Sequence, residues 1–308
     1  MAKRHRLFDL VVESEIPVYE SPPLEGDVAV DVTVTCGSVQ NVSEHPATVF
    51  NNSRNGLWRC VINRGHVFYK CPAGCYEITD GNRILYQPGE GVREELSRTF
   101  LLGSAMAVIQ MQRGTYPLHG GVLEVNGKAV LISGSSGAGK STITSWMVKK
   151  GYRYLTDDVG TVLMDGKQPM MLPSYPQRKL RRDACLEMGY NLEDLVLVDF
   201  ERDKYGIREP SAWYGSRLPF GSVYEIALVR PEDPLRMYEI EGTDKLGVII
   251  RNLFRPWYYE DQKWPPENVK HLIEIANHVK TFRIERPHGL MTVEPILGLL
   301  KSALADEK

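Results

Sequence analysis

The chain has 308 residues, long enough to bury a full hydrophobic core as one large domain or two smaller ones. Its hydrophobic share of 43% and charged share of 25% are those of a soluble globular protein. A net charge of -2 excludes a whole-molecule basic surface, so nucleic acid is not the expected partner. No run approaches the roughly 20 apolar residues that span a bilayer, and the densest, Phe100–Ile109, reads as a buried helix. The basic start Met-Ala-Lys-Arg-His-Arg is followed by acids too early for a signal segment. The expectation is therefore a cytoplasmic protein with no membrane partner. Five cysteines, an odd number, argue against a disulfide framework. Cys71 and Cys75 have no second pair at metal spacing and read as ordinary thiols.

In chain order, residues 7–90 read as short strands: Leu7–Val12, Val28–Thr35, Leu57–Ile62, Val67–Lys70, Cys75–Thr79 and Arg83–Tyr86. Turn residues at Pro22-Pro23, Asn55-Gly56, Asp80-Gly81 and Pro88-Gly89 separate them. Val92–Gln112 then carries apolar residues at helical spacing, with Gly114 just beyond. This change of period places a boundary near residue 90, with a small β-rich N-terminal domain over 1–90. Next, Gly121–Val125 and Lys128–Ser133 flank Asn126-Gly127, the strongest short hairpin signal. A helix Lys140–Lys150 ends with Gly151 at its C-terminal side, and the strand Tyr152–Thr156 runs into Asp157-Asp158. The remainder alternates: strands Leu195–Phe200 and Tyr224–Arg230, then helices Asp244–Phe254 with Thr243 as its cap, Glu267–Lys280 and Val293–Leu304. The pattern is that of an α/β domain over 91–308 behind a smaller β-rich one.

Gly134-Ser135-Ser136-Gly137-Ala138-Gly139-Lys140-Ser141 has the Walker A pattern. Its glycines let the backbone wrap a phosphate with N–H groups pointing inward. Lys140 is placed to reach the β- and γ-phosphates and Ser141 to meet Mg2+, with Thr142 following on the helix. A strand before and a helix after supply the required context. ATP and Mg2+ are thus the expected cofactors. Phosphoryl transfer also needs carboxylates, and Asp157-Asp158 supplies two on one turn. Adjacent side chains of an extended backbone point to opposite sides, so one can face Mg2+ and the other the acceptor. Either Asp157 or Asp158 fits either part. His119, at the start of the hairpin, is placed for a role at the γ-phosphate.

Together these residues resemble the catalytic core of the HPr serine kinase/phosphorylase family: His119-Gly120, the hairpin, Gly134–Ser141 and the aspartate pair, in that order and at close to that spacing. The close match covers about residues 117–160. It implies a P-loop kinase domain of the HPr kinase and phosphoenolpyruvate carboxykinase type, a serine hydroxyl as acceptor and a homo-oligomer. The family's later Glu-Ile-Arg-Gly-Leu-Gly signature is absent, and Leu172–Arg182 stands near its place. The stretches Phe8–Tyr19, Leu101–Ala105 and Gln112–His119 are similar to HPr-kinase-related proteins of peptide natural-product clusters. Some of these are lasso-peptide tailoring kinases, which phosphorylate the C-terminal serine of a precursor peptide. That resemblance implies a peptide or small-protein substrate. The alternatives are an HPr-type kinase of a carrier protein, a small-molecule kinase, and a nucleotide-binding regulator or NTPase switch without a peptide acceptor.

The resemblance further implies Asp157 as the base with Asp158 as the metal partner, and a late arginine that stabilises transferring charge, for which Arg208, Lys245 and Arg251 are the candidates. The polar run 201–208 reads either as a solvated loop or as one closing over nucleotide, with Lys204 or Arg208 reaching a phosphate. The basic segment Arg178–Arg182 reads as an acidic-peptide contact or an exposed helix start. The aromatic cluster Phe254–Tyr259 reads as packing.

Overall fold

The computed structural model describes residues 2–40, 48–50, 59–63, 65–200, 202–261, 263–289 and 292–305. The expected turn Asn55-Gly56 lies outside these residues, as do Leu57 and Trp58 of the strand expected there.

The N-terminal strands are β1 (Lys3–Leu7), β2 (Leu10–Ser14), β3 (Val32–Cys36), β4 (Thr48–Phe50), β5 (Arg59–Asn63), β6 (His66–Cys71), β7 (Gly74–Thr79) and β8 (Arg83–Pro88). They form one sheet in the order β1-β2-β3-β8-β7-β6-β5-β4. Sequence periodicity expects one strand over Leu7–Val12, but the chain reverses at Phe8-Asp9. Both residues take positive φ, 51° and 62°, as a two-residue hairpin turn of this hand requires. A phenylalanine gives no local signal for that conformation. Tertiary contacts hold it instead: Phe8 N–H donates to Ser174 O at 3.1 Å, and Gln110 Nε2 donates to Phe8 O at 3.0 Å.

The helical stretch expected over Val92–Gln112 is α1 (Glu94–Phe100) and α2 (Met106–Gln112), joined by a π-type turn at Leu101–Ala105. There Met106 N–H reaches back to Leu101 O. The rod packs on the N-terminal sheet, with Tyr76 Oη donating to Ser97 O at 2.9 Å and Arg98 Nε donating to Glu20 Oε1 at 3.0 Å. One apolar core runs from Leu7, Val34 and Tyr76 through Met106 and Ile109 to Leu131 and Val223. Continuous packing therefore crosses residue 90.

The second half holds β9 (Tyr116–Val125), β10 (Lys128–Gly134), α3 (Lys140–Lys149), β11 (Arg153–Thr156), β12 (Val159–Asp165), β13 (Gln168–Leu172), β14 (Arg178–Arg181), α4 (Arg182–Glu187), β15 (Val196–Asp199), β16 (Lys204–Ile207), β17 (Leu218–Val229), β18 (Arg236–Glu239), α5 (Asp244–Arg251), α6 (Trp257–Asp261), α7 (Pro266–His278), β19 (Lys280–Pro287) and α8 (Val293–Ala305). The main sheet runs β10-β9-β12-β13-β17-β19-β18, with β11 paired to β9. β17 also pairs in parallel with β10, so five of these strands return on themselves. A three-stranded sheet, β14-β16-β15, stands beside it. The molecule is a mixed α/β protein with several sheets.

The Asn126-Gly127 hairpin forms as expected, with φ of 50° and 77° at its turn. Four expectations need correction. The run 201–208 contributes β16, a paired strand, over its described part. Arg178–Arg182 is mostly the strand β14, and Arg178 and Lys179 are buried. Thr243 has helical backbone angles and makes no side-chain cap bond to α5. The helix expected to Phe254 stops at Arg251 because Phe254 N–H is drawn to Pro117 O on β9, at 2.8 Å.

Candidate active site

β10 is a buried apolar run, Ala129–Ile132, held between β9 and β17. It ends at Gly134 with φ of 138°, where a Cβ would collide with Ile226 O of β17. Glycine is therefore required there for close strand approach. The chain then passes exposed Ser135, Ser136 and Gly137 into Gly139, which begins α3 without a side-chain cap. The first backbone N–H groups of α3 are thus free to meet an anion, and the helix dipole favours negative charge there.

Lys140 folds back over this loop, its Nζ donating to Gly134 O at 2.9 Å and to Ser135 O at 3.0 Å. Burial brings its pKa down to about 8, against the pull of Asp158 and with the help of Lys204. Arg286, from the end of β19, donates Nη1 to Ala138 O at 2.8 Å and Nε to Thr292 Oγ1 at 2.8 Å. It braces the loop from behind, and no sequence pattern marked it.

Asp157 and Asp158 stand in the bend between β11 and β12 and have different surroundings. Asp157 is buried. Its Oδ2 accepts the backbone N–H of Lys179 at 2.8 Å, and its Oδ1 has no hydrogen-bond partner among the described residues. Burial and the neighbouring charge of Asp158 raise its pKa, Lys204 and the Lys179 N–H opposing. The Asp158 side chain is 33% exposed, with Oδ1 3.6 Å from His119 Nδ1. Burial alone would raise the Asp158 carboxyl, but Lys179, His119, Lys204 and Lys140 hold it well below the usual carboxylate range. The pair thus splits into a firmly ionised member and a buried member with one open oxygen.

His119 lies on β9 opposite Val159, and its backbone N–H donates to Asn252 O at 2.8 Å. Burial lowers its pKa, against Asp158, so the imidazole is largely neutral near pH 7. Behind it, Ser133 Oγ lies 2.6 Å from both His119 O and Asn252 Oδ1, and Asn252 Nδ2 donates to Glu225 Oε1 at 2.8 Å.

Of the expected cations, Lys204 stands at the site: it acts on Lys140, His119 and both aspartates. Arg251 is bound to Glu225 through Nε and Nη2, at 2.6 and 2.8 Å. Arg208 donates to Gln177 Oε1 at 3.3 Å, and Lys245 is not among the principal charges acting on Lys140 or the aspartates. Lys179 went unanticipated. Burial works against its ammonium, but Tyr175, Asp158 and Asp157 overcome that and raise its pKa. In the aromatic cluster, Tyr258 and Tyr259 are buried and Tyr259 stacks on Tyr116, while Phe254 lies 5.9 Å from the His119 ring.

Among the described residues, no cluster of three or more His, Cys, Asp or Glu side chains could hold a metal by itself. That suits Mg2+, which is usually shared between phosphate oxygens, water and one or two protein oxygens. Ser141 and Asp158 have the right donor atoms for that part. The free N–H groups at the start of α3 and the Lys140 ammonium fit a polyphosphate.

Residues 112–180 match the family model described as HPr Serine kinase C-terminal domain. The chain is 30% identical over 190 residues to the HPr kinase/phosphorylase of Chlorobaculum tepidum, covering 62% of this chain. It spans half the length of that curated relative. The solved structure of the HPr(Ser) kinase/phosphatase from Coxiella burnetii overlays on 62% of this chain and 99% of its own, at 16% identity and a TM-score of 0.31. An overlay that loose carries no argument about the fold. The matched segment contains His119, Gly134–Ser141 and Asp157-Asp158.

Proposed function

We propose that this chain is an ATP- and Mg2+-dependent serine kinase with a peptide or small-protein acceptor. The observation that carries the reading is the aspartate pair: Asp157 is buried with Oδ1 open, and ionised Asp158 shares its charge environment with Lys140.

In this reading, the N–H groups of Gly137 and of Gly139–Ser141 cradle the β- and γ-phosphates, and Lys140 leaves the carbonyls of Gly134 and Ser135 to neutralise them. Arg286 keeps the Ala138 carbonyl turned away from the phosphates. Ser141 and Asp158 would hold Mg2+, which would neutralise phosphate charge. Asp157 accepts the proton of the acceptor hydroxyl, and its raised pKa suits a proton acceptor. His119 is the neutral donor beside the transferring group, and Lys204 supplies the cation in place of the candidates Arg208, Lys245 and Arg251. A serine-terminated lasso precursor peptide is the acceptor suggested by the N-terminal resemblance. The 30% identity to an HPr kinase/phosphorylase favours a second acceptor, the carrier protein HPr.

The test is the rate of ADP release from ATP with and without each acceptor. A kinase is stimulated by its acceptor. ADP release that is insensitive to both would favour a nucleotide switch.

A further inference from the structure

The chain leaving α5 runs antiparallel to the start of β9. Phe254 N–H donates to Pro117 O at 2.8 Å, Leu253 bridges Leu118, and His119 N–H donates to Asn252 O at 2.8 Å. Asn252 follows the last residue of α5 and is buried. Its Nδ2 donates to Glu225 Oε1 and to Val248 O, both at 2.8 Å. Two acceptors on that side fix the amide, so Oδ1 faces the other way, toward Ser133. Ser133 Oγ stands 2.6 Å from Asn252 Oδ1 and 2.6 Å from His119 O. One hydroxyl proton therefore serves two acceptor oxygens in a three-centre contact.

One residue thus holds both polar atoms of the His119 main chain, the N–H directly and the carbonyl through Ser133. Asn252 is held in turn by Glu225, which Arg251 and Arg283 fix with their guanidinium groups. The glycine-rich loop has separate ties: Lys140 Nζ donates to Gly134 O and Ser135 O, and Arg286 donates to Ala138 O. The Asn252 contacts consequently bear on His119 more than on the loop. A ring carried on a firmly held backbone keeps its reach to a reacting group, and a shift of about 1 Å in such a group costs on the order of 100-fold in rate.

We propose that Asn252 is a positioning residue of the phosphotransfer site: it acts through His119, and Ser133 is the second half of its grip. Asn252 itself touches neither phosphate nor acceptor. The inference rests on the phosphotransfer reading above.

The experiment measures kcat and KM for transfer of 32P from ATP, with Mg2+, to HPr and to a serine-terminated lasso precursor peptide, with ATP affinity read by calorimetry. The radiolabel keeps losses of about 10,000-fold measurable, the most that one proton-handling group contributes. The full chain is compared as wild type, Asn252→Ala, Ser133→Ala and His119→Gln, and with each of the first two variants combined with His119→Gln. Asn252→Ala should lower kcat at least about tenfold and Ser133→Ala at least about threefold, with ATP affinity within about twofold of wild type. Ser133→Ala keeps the Asn252 bonds to Glu225 and Val248 and carries the test if Asn252→Ala does not fold. In the His119→Gln background neither change should lower kcat by more than about twofold further, because the group they position is gone. A merely structural contact would lower kcat in both backgrounds alike. Losses of equal size in both backgrounds, wild-type kcat in both variants, or a fall in ATP affinity with kcat unchanged would overturn the role of Asn252 and leave phosphotransfer standing. A wild-type protein that binds ATP and transfers to neither acceptor would overturn phosphotransfer, and this role with it.

Discussion

Arg286 holds the glycine-rich loop at Ala138: its guanidinium donates to Ala138 O at 2.8 Å, across 148 positions of sequence. The bond fixes one carbonyl of a loop whose N–H groups must all face inward. Arg286→Ala should therefore weaken ATP binding by about 10–150-fold, the range of one charge-assisted bond. Titration calorimetry reads this directly, and an affinity within about twofold of wild type would remove Arg286 from the site.

Glu225 joins the main sheet to α5. Burial alone would raise its pKa, but bonds from Arg251, Arg283 and Asn252 hold it below the ordinary glutamate value of about 4.3. The folded state thus binds fewer protons there than the unfolded state. Its stabilising contribution is present above about pH 4.3 and fades as pH falls through the lower folded value. Glu225→Gln should cost about 1–3 kcal/mol at pH 7, since Arg251 and Arg283 lose their charged partner. Melting curves from pH 7 downward should show the gap between wild type and variant narrowing below about pH 4.3. A gap constant with pH would contradict the assignment.

Arg98 and Glu20 form a buried pair, with side chains 3% and 4% exposed and 3.0 Å between them. The pair ties the N-terminal segment to α1. Glu20→Ala removes the nearest partner of Arg98 and leaves it Glu94 and Glu95 at 3.5 and 3.6 Å, so it should cost about 1–3 kcal/mol in urea unfolding. Replacing both, as Glu20→Leu with Arg98→Met, should recover much of that loss, because two apolar side chains leave no orphaned charge. A double variant as unstable as the single one would show that the segment needs the ion pair itself.

The sequence made the conformation of the glycine-rich loop and the hairpin before it legible, because both depend on local backbone requirements written in glycine and asparagine. Gly134, Asn126 and Gly127 take the angles their positions announce. The aspartate pair was legible as a pair, from its place after the strand β11. What escaped depends on contacts made across the fold. Phe8 occupies a turn that no turn residue marks. The run Arg178–Arg182 has the composition of an exposed face, yet Lys179 is buried because Tyr175 and both aspartates compensate its charge. Strand β16 was hidden in polar residues that pair with β14 and β15. Arg251 looked free because its partner, Glu225, lies 26 residues away in another element.

Phosphotransfer from ATP to a serine hydroxyl through Asp157 is most directly tested by intact-mass analysis of two acceptors, HPr and a serine-terminated lasso precursor peptide, after incubation with the protein, ATP and Mg2+. Wild type should add one phosphate to one of them. Lys140→Met should lose the transfer together with nucleotide affinity, and Asp157→Asn should lose it by about 100-fold or more with ATP still bound. Unmodified acceptors from a wild-type protein that binds ATP, or an Asp157→Asn protein that transfers at the wild-type rate, would contradict the account.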